Sequence, residues 1–86
     1  MAAMDLLQVR QEESHLVIDA CNAIRAGRHP RHEILALVKE APSGTLCEIH
    51  VPHRTSPLIA ALEELGLRVA VAEVEPFHFR LRMMKF

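Results

Sequence analysis

The stretch Glu48-Ile49-His50-Val51-Pro52-His53-Arg54-Thr55-Ser56-Pro57 constrains the fold of this chain more than any other. A short apolar run stops there and an amphipathic helix begins, with Ser56 suited to the N-cap and Pro57 to the first helical position. Leu58, Ala61, Leu62 and Leu65 recur at helical spacing as the apolar stripe, and Gly66 supplies the stop. Upstream, Thr45 to Val51 alternates as a strand does, with Cys47, Ile49 and Val51 on one face and Leu46, Glu48 and His50 on the other. A strand feeding a helix in this way is an α/β unit. Ligand sites in open α/β sheets gather where strands end and helices begin, so function is expected at this junction and at its counterpart earlier in the chain.

The counterpart begins with His15 to Ala20, a first strand with Leu16, Ile18 and Ala20 on one face and Val17, Asp19 and Cys21 on the other. Asn22 to Arg28 connects onward through one helical turn closed by Gly27, and His29-Pro30 opens the first main helix. Its buried stripe is Ile34, Leu37, Val38 and Ala41, followed by the turn Ala41-Pro42-Ser43-Gly44. Beyond the second helix, Leu67 to Val74 reads as a third strand and Glu75-Pro76 turns it. In the fourth strand Phe77, Phe79, Leu81 and Met83 alternate with His78, Arg80, Arg82 and Met84.

The order is βαβαββ. A right-handed crossover makes the first two strands parallel and sets both helices on one side of the sheet. The expected fold is therefore α/β (α+β), a two-layer sandwich with a mixed four-stranded sheet and two helices on one face. Its other face is open or meets a partner. Residues 1–14 are expected as an N-terminal tail, and residues 15–86 as a single domain.

Half of the 86 residues are apolar, with neither Trp nor Tyr, so the core is aliphatic. The net charge of −1 provides no overall cationic field to attract nucleic acid or an anionic membrane. Cys21 and Cys47 are too few for a disulfide framework, and no apolar run is long enough for a signal peptide or a membrane span. A cytoplasmic location with reduced thiols is expected.

The pattern Ile18-Asp19-Ala20, Ile24-Arg25-Ala26-Gly27-Arg28-His29-Pro30, Ala41-Pro42-Ser43-Gly44 and Pro57-Leu58-Ile59-Ala60-Ala61-Leu62-Glu63-Glu64-Leu65-Gly66 resembles a bacterial domain-of-unknown-function family, a sister of the TusA/SirA-like proteins. The resemblance covers His15 to Arg82 and implies the same βαβαββ sandwich. TusA-like sulfur carriers use a Cys-Pro pair at the start of the first helix, where the helix dipole favours a thiolate. This chain has His29-Pro30 there and lacks that nucleophile.

What chemistry remains lies with the histidines and Cys21. Parallel strands end on one edge, so Cys21, His29, His50 and His53 are expected to converge there with His32 nearby. A neutral imidazole at a helix N-terminus suits metal binding, and such a Cys/His set would take Zn, Cu, Ni or Fe. On the open face His78, Arg80 and Arg82 form a basic stripe with Lys85 just beyond, without the outward aromatics that nucleic-acid stacking needs. The leading expectation is a small non-enzymatic binding or adaptor domain that recognises a protein partner or small ligand at the C-terminal strand edge. A transition-metal or redox-linked module built on the histidines is the alternative, and a sulfur carrier through Cys21 the third. Self-association is expected through the open face or the N-terminal segment.

Overall fold

The structure, a computed structural model, describes residues 7–85. Along them run β1 (Gln8–Glu12), β2 (His15–Asp19), α1 (Cys21–Arg25), α2 (Arg31–Glu40), β3 (Leu46–Val51), α3 (Ser56–Glu64), β4 (Ala70–Glu75) and β5 (His78–Met84). They form one mixed sheet in the order β1-β2-β3-β5-β4. The β2–β3 pair is parallel and the other three pairings are antiparallel.

The parity read from the sequence holds. Leu16 and Ile18 of β2, Cys47, Ile49 and Val51 of β3, and Leu81 and Met83 of β5 are buried on one face. They pack with Ile34 and Val38 of α2 and Leu58, Ile59 and Leu62 of α3 into a single aliphatic core. The helices thus cover one side of the sheet, as the right-handed crossover requires, and the opposite side is open. At the far end of α2, the Lys85 ammonium donates 2.7 Å to the Lys39 carbonyl and so satisfies one of the acceptors a helix C-terminus leaves bare.

Several expectations are corrected. The sheet has five strands, because part of the segment expected as a tail, 1–14, is β1. Residues 1–6 lie outside the described residues. All five β1 side chains are exposed, so no apolar period marks the strand. It is held by its ladder to β2, from Gln8 opposite Asp19 to Glu12 opposite His15. There are also three helices among the described residues, since the expected helical turn is the short α1. Its start is fixed by the Asp19 side chain, whose Oδ1 accepts the Cys21 backbone N–H at 3.0 Å, and Gly27 at φ 83° carries the chain out of it.

The other corrections are local. Thr55, one residue before the expected Ser56, is the N-cap of α3. Leu65 is the C-cap and stays exposed, while Ile59 takes a place in the core. Phe77 lies outside β5 in the turn after β4, 77% exposed and at φ 64°. Val74 is thrown outward by a register shift between Glu73 and Glu75, and is 49% exposed. No helix among the described residues is long and apolar enough to cross a membrane.

A core this uniform makes a simple prediction. Ile49→Ala empties a fully buried position in the central strand and should cost about 2–5 kcal/mol in urea unfolding. Val9→Ala on the exposed edge strand should stay within about 0.5 kcal/mol of the parent.

Candidate functional site

Strand β3 ends at Val51, and the loop 52–55 leads directly into α3. Because α2 must return to the start of β3, its first turn lies at the same edge of the sheet as that of α3. Between them opens a groove of about 670 Å³, lined by Ile24 of α1, residues 28–32 and 34 around the start of α2, and residues 53–58 around the start of α3. That volume is in the range of small-molecule sites, roughly 300–1,000 Å³. Ile34 and Leu58 supply apolar surface at its base, together with Ile24, Pro30 and Pro57.

The charges of the groove are all of one sign. Among the described residues its lining includes Arg28, Arg31 and Arg54 with His29, His32 and His53, and no Asp or Glu. None of the three arginines is in an ion pair among the described residues. The first-turn N–H groups of α2 and α3 add the positive ends of two helix dipoles. Thr55 Oγ1, shielded from solvent in this lining, has no hydrogen-bond partner. On a chain of net charge −1, this edge is a local concentration of positive charge.

His50 is elsewhere. Strand parity places it on the open face with Glu48, where its Nε2 lies 2.7 Å from Glu48 Oε2 and its Nδ1 lies 2.8 Å from His78 Nε2. An ionised carboxylate has no proton to give, so His50 Nε2 donates to Glu48, and in the neutral ring Nδ1 then accepts from His78. The rings sit 5.0 Å apart between centroids, so the two facing nitrogens point at each other rather than at a common third position. That is the geometry of a single N–H···N hydrogen bond between the rings. A metal ion would have to force the rings apart or turn them.

Glu48 is the hub of this face. Its side chain is 13% exposed, and Arg82 Nε donates to Oε1 at 3.4 Å while His15 Nε2 stands 3.7 Å from the same oxygen. Burial raises its carboxyl pKa, but the hydrogen bond and charge of His50 and those of Arg82 outweigh burial and hold it below its ordinary value. The expected basic stripe of His78, Arg80 and Arg82 is present on this face, and two of its three members face a carboxylate, while Arg80 Nε is buried with no hydrogen-bond partner among the described residues. His78 is 4.0 Å from Glu75, and Arg82 is paired with Glu48.

The expected convergence of Cys21, His29, His50, His53 and His32 is therefore divided. His29, His32 and His53 line the groove; His50 belongs to the opposite sheet face. Cys21 is buried at the start of α1, where burial and the nearby Asp19 carboxylate push its thiol pKa up. Cys47 is buried in the core, and its thiol is pushed up by burial. Neither environment favours a thiolate. Among the described residues no group of three or more His, Cys, Asp or Glu side chains is placed to hold one metal ion. Arg28, Arg31 and Arg54 are not among the residues expected at this site from the sequence, although each adjoins a histidine or the helix-opening proline.

Comparison of the chain with protein-family models, with curated proteins and with solved structures finds no match.

The depressed carboxyl of Glu48 gives a pH dependence of definite sign. Its folded-state pKa lies below its unfolded value, so its contribution is complete above about pH 4.5 and is lost as pH falls through the lower, folded-state value. Unfolding free energy measured in urea from pH 7 to pH 3 should fall on the acid side, and Glu48→Gln should flatten that fall. At pH 7 the variant should be about 1–3 kcal/mol less stable.

Proposed function

We propose that this chain is a small non-enzymatic binding domain of TusA/SirA-like fold that recognises an anionic ligand with an apolar portion in the groove at the C-terminal strand edge. The observation that carries the reading is the carboxylate-free lining of that groove, three arginines and three histidines above an apolar base. Cationic side chains that meet no partner among the described residues stay hydrated until an anion displaces water from them, and a concave site makes that exchange local. The apolar base would contribute about 0.8 kcal/mol for each methylene it covers.

The fold part of the reading is supported by the order β2-α1-α2-β3-α3-β4-β5, which is βαβαββ when the five-residue α1 and α2 are taken together as one crossover, and by His29-Pro30 immediately before α2. Strand β1 is an addition outside the region of resemblance. With His29 where the sulfur carriers have cysteine, and with Cys21 buried and its thiol raised, the arrangement supports recognition more than sulfur relay. Two free thiols are in keeping with a cytoplasmic domain.

The test uses two probes that differ only in the apolar part. Inorganic phosphate and octyl phosphate titrated against the labelled protein should shift the amides of residues 28–34 and 53–58. Octyl phosphate should bind more tightly, by about tenfold for every two methylenes buried. Arg54→Glu, at an exposed loop position, should weaken both by about tenfold or more while leaving the fold intact. Equal binding of the two probes, or shifts confined to the open sheet face, would refute the reading.

A further inference from the structure

Strand β4 runs parallel to β3, because both are antiparallel to β5. Its C-terminal end, the turn at Pro76-Phe77, therefore lies at the same edge of the sheet as the groove. The turn carries an apolar knob. Phe77 is 77% exposed and Val74 is 49% exposed, and on either side of Val74 stand the exposed carboxylates Glu73 and Glu75. Two large apolar side chains exposed within four residues of one another, at the end of a strand and in the turn after it, are an unusual use of surface.

The knob is held and not loose. Phe77 is the one non-glycine residue with positive φ among the described residues, at 64°, a conformation that a bulky side chain rarely adopts. Arg25 Nη2 of α1 donates to the Phe77 carbonyl at 3.1 Å across this turn. The neighbouring α1 residue, Ile24, lines the groove. Knob and groove are thus adjacent, on either side of α1.

They are also complementary. The knob has two apolar side chains flanked by two exposed carboxylates, Glu73 in no ion pair among the described residues and Glu75 4.0 Å from His78; the groove has an apolar base flanked by Arg28, Arg31 and Arg54. We infer that the occupant of the groove is the β4–β5 turn of a second copy of this chain. This rests on the reading of the groove as a site for an anionic ligand with an apolar part, and names that ligand. Because knob and groove share one end of the molecule, a two-fold axis between two such ends seats each copy's knob in the other's groove. The assembly is a closed dimer with one patch used twice. Charge complementarity across it makes the association sensitive to salt and to charge reversal.

Sedimentation equilibrium of the full chain from about 10 µM to about 1 mM, the span of weak complexes, reads the mass directly. The parent should shift from monomer towards dimer with rising concentration, and octyl phosphate should shift it back. Glu73→Lys with Glu75→Lys should raise the dissociation constant about tenfold or more, and so should Arg28→Glu with Arg54→Glu. Mixing these two variants restores opposite charge at both contacts, and the dimer should return. Phe77→Ala, which removes an exposed side chain only, should weaken association without the fold being at stake.

A parent that is monomeric throughout overturns the inference. So does a dimer unaffected by both charge reversals, and so does a mixture that stays monomeric. Octyl phosphate separates the two readings. A monomeric parent that still binds it through Arg54 leaves the groove reading standing and removes this one, whereas a parent that neither binds it nor dimerises removes both. The knob variant keeps its groove and should bind octyl phosphate as the parent does.

Discussion

Most of this structure depends on the parallel ladder between β2 and β3. It begins where the Leu46 N–H donates to the Ser14 carbonyl and runs past the end of β2, where the Ala20 N–H donates to the His50 carbonyl at 2.9 Å. Two parallel strands cannot be joined by a tight turn, so the chain between them must cross over the sheet, and here it does so through α1 and α2. The same hand of crossover carries α3 to the same side. From that one pairing it follows that both main helices start at one sheet edge, and that their first turns, with the loops before them, enclose a groove.

The second dependency is the insertion of β5 between β3 and β4. It makes β3 a central strand, which accounts for the complete burial of Cys47, Ile49 and Val51. It also sets Arg82 opposite Glu48 and brings His78 to within 2.8 Å of His50. Cross-strand pairs of opposite charge stabilise a sheet modestly, about 0.2–1 kcal/mol each. Here they also let Glu48 be largely withdrawn from water while remaining ionised.

These relations explain what could be seen in the sequence and what could not. Alternation in Thr45 to Val51 and the helical stripe after Pro57 depend on nearest neighbours along the chain, and both survived intact in β3 and in most of α3. The exposure of Leu65 and Phe77 did not follow from pattern, because each lies one residue beyond the element whose period it shares. Strand β1 has no apolar face, and its order comes from main-chain bonds to β2 that carry no sequence mark. The His50–His78 contact joins residues 28 apart through the β3–β5 register, which depends on the sheet order as a whole. For the groove, the segments are legible as strand-to-helix junctions, but the gathering of Arg28, Arg31 and Arg54 depends on the first turns of α2 and α3 lying side by side. Parity already sent His50 to the other face, and that alone was enough to break the expected Cys/His set.

The two faces at the end of β3 finally differ in a way that bears on function. On the open face the groups around Glu48 meet neighbours: Glu48 has His50 and Arg82, and His78 has His50 and Glu75, whereas Arg80 Nε is buried without a hydrogen-bond partner among the described residues. The satisfied part of this polar network contributes to stability and specifies register. At the groove, among the described residues, Arg28, Arg31 and Arg54 have no carboxylate partner, and Thr55 Oγ1 has no hydrogen-bond partner. Like charges gathered without counter-charges cost a fold stability, and nothing in the core requires them there, since all three arginines are exposed. On the proposed function, recognition gives that cost a purpose: a cationic set unpaired among the described residues has its largest favourable interaction still to make, with an anionic group.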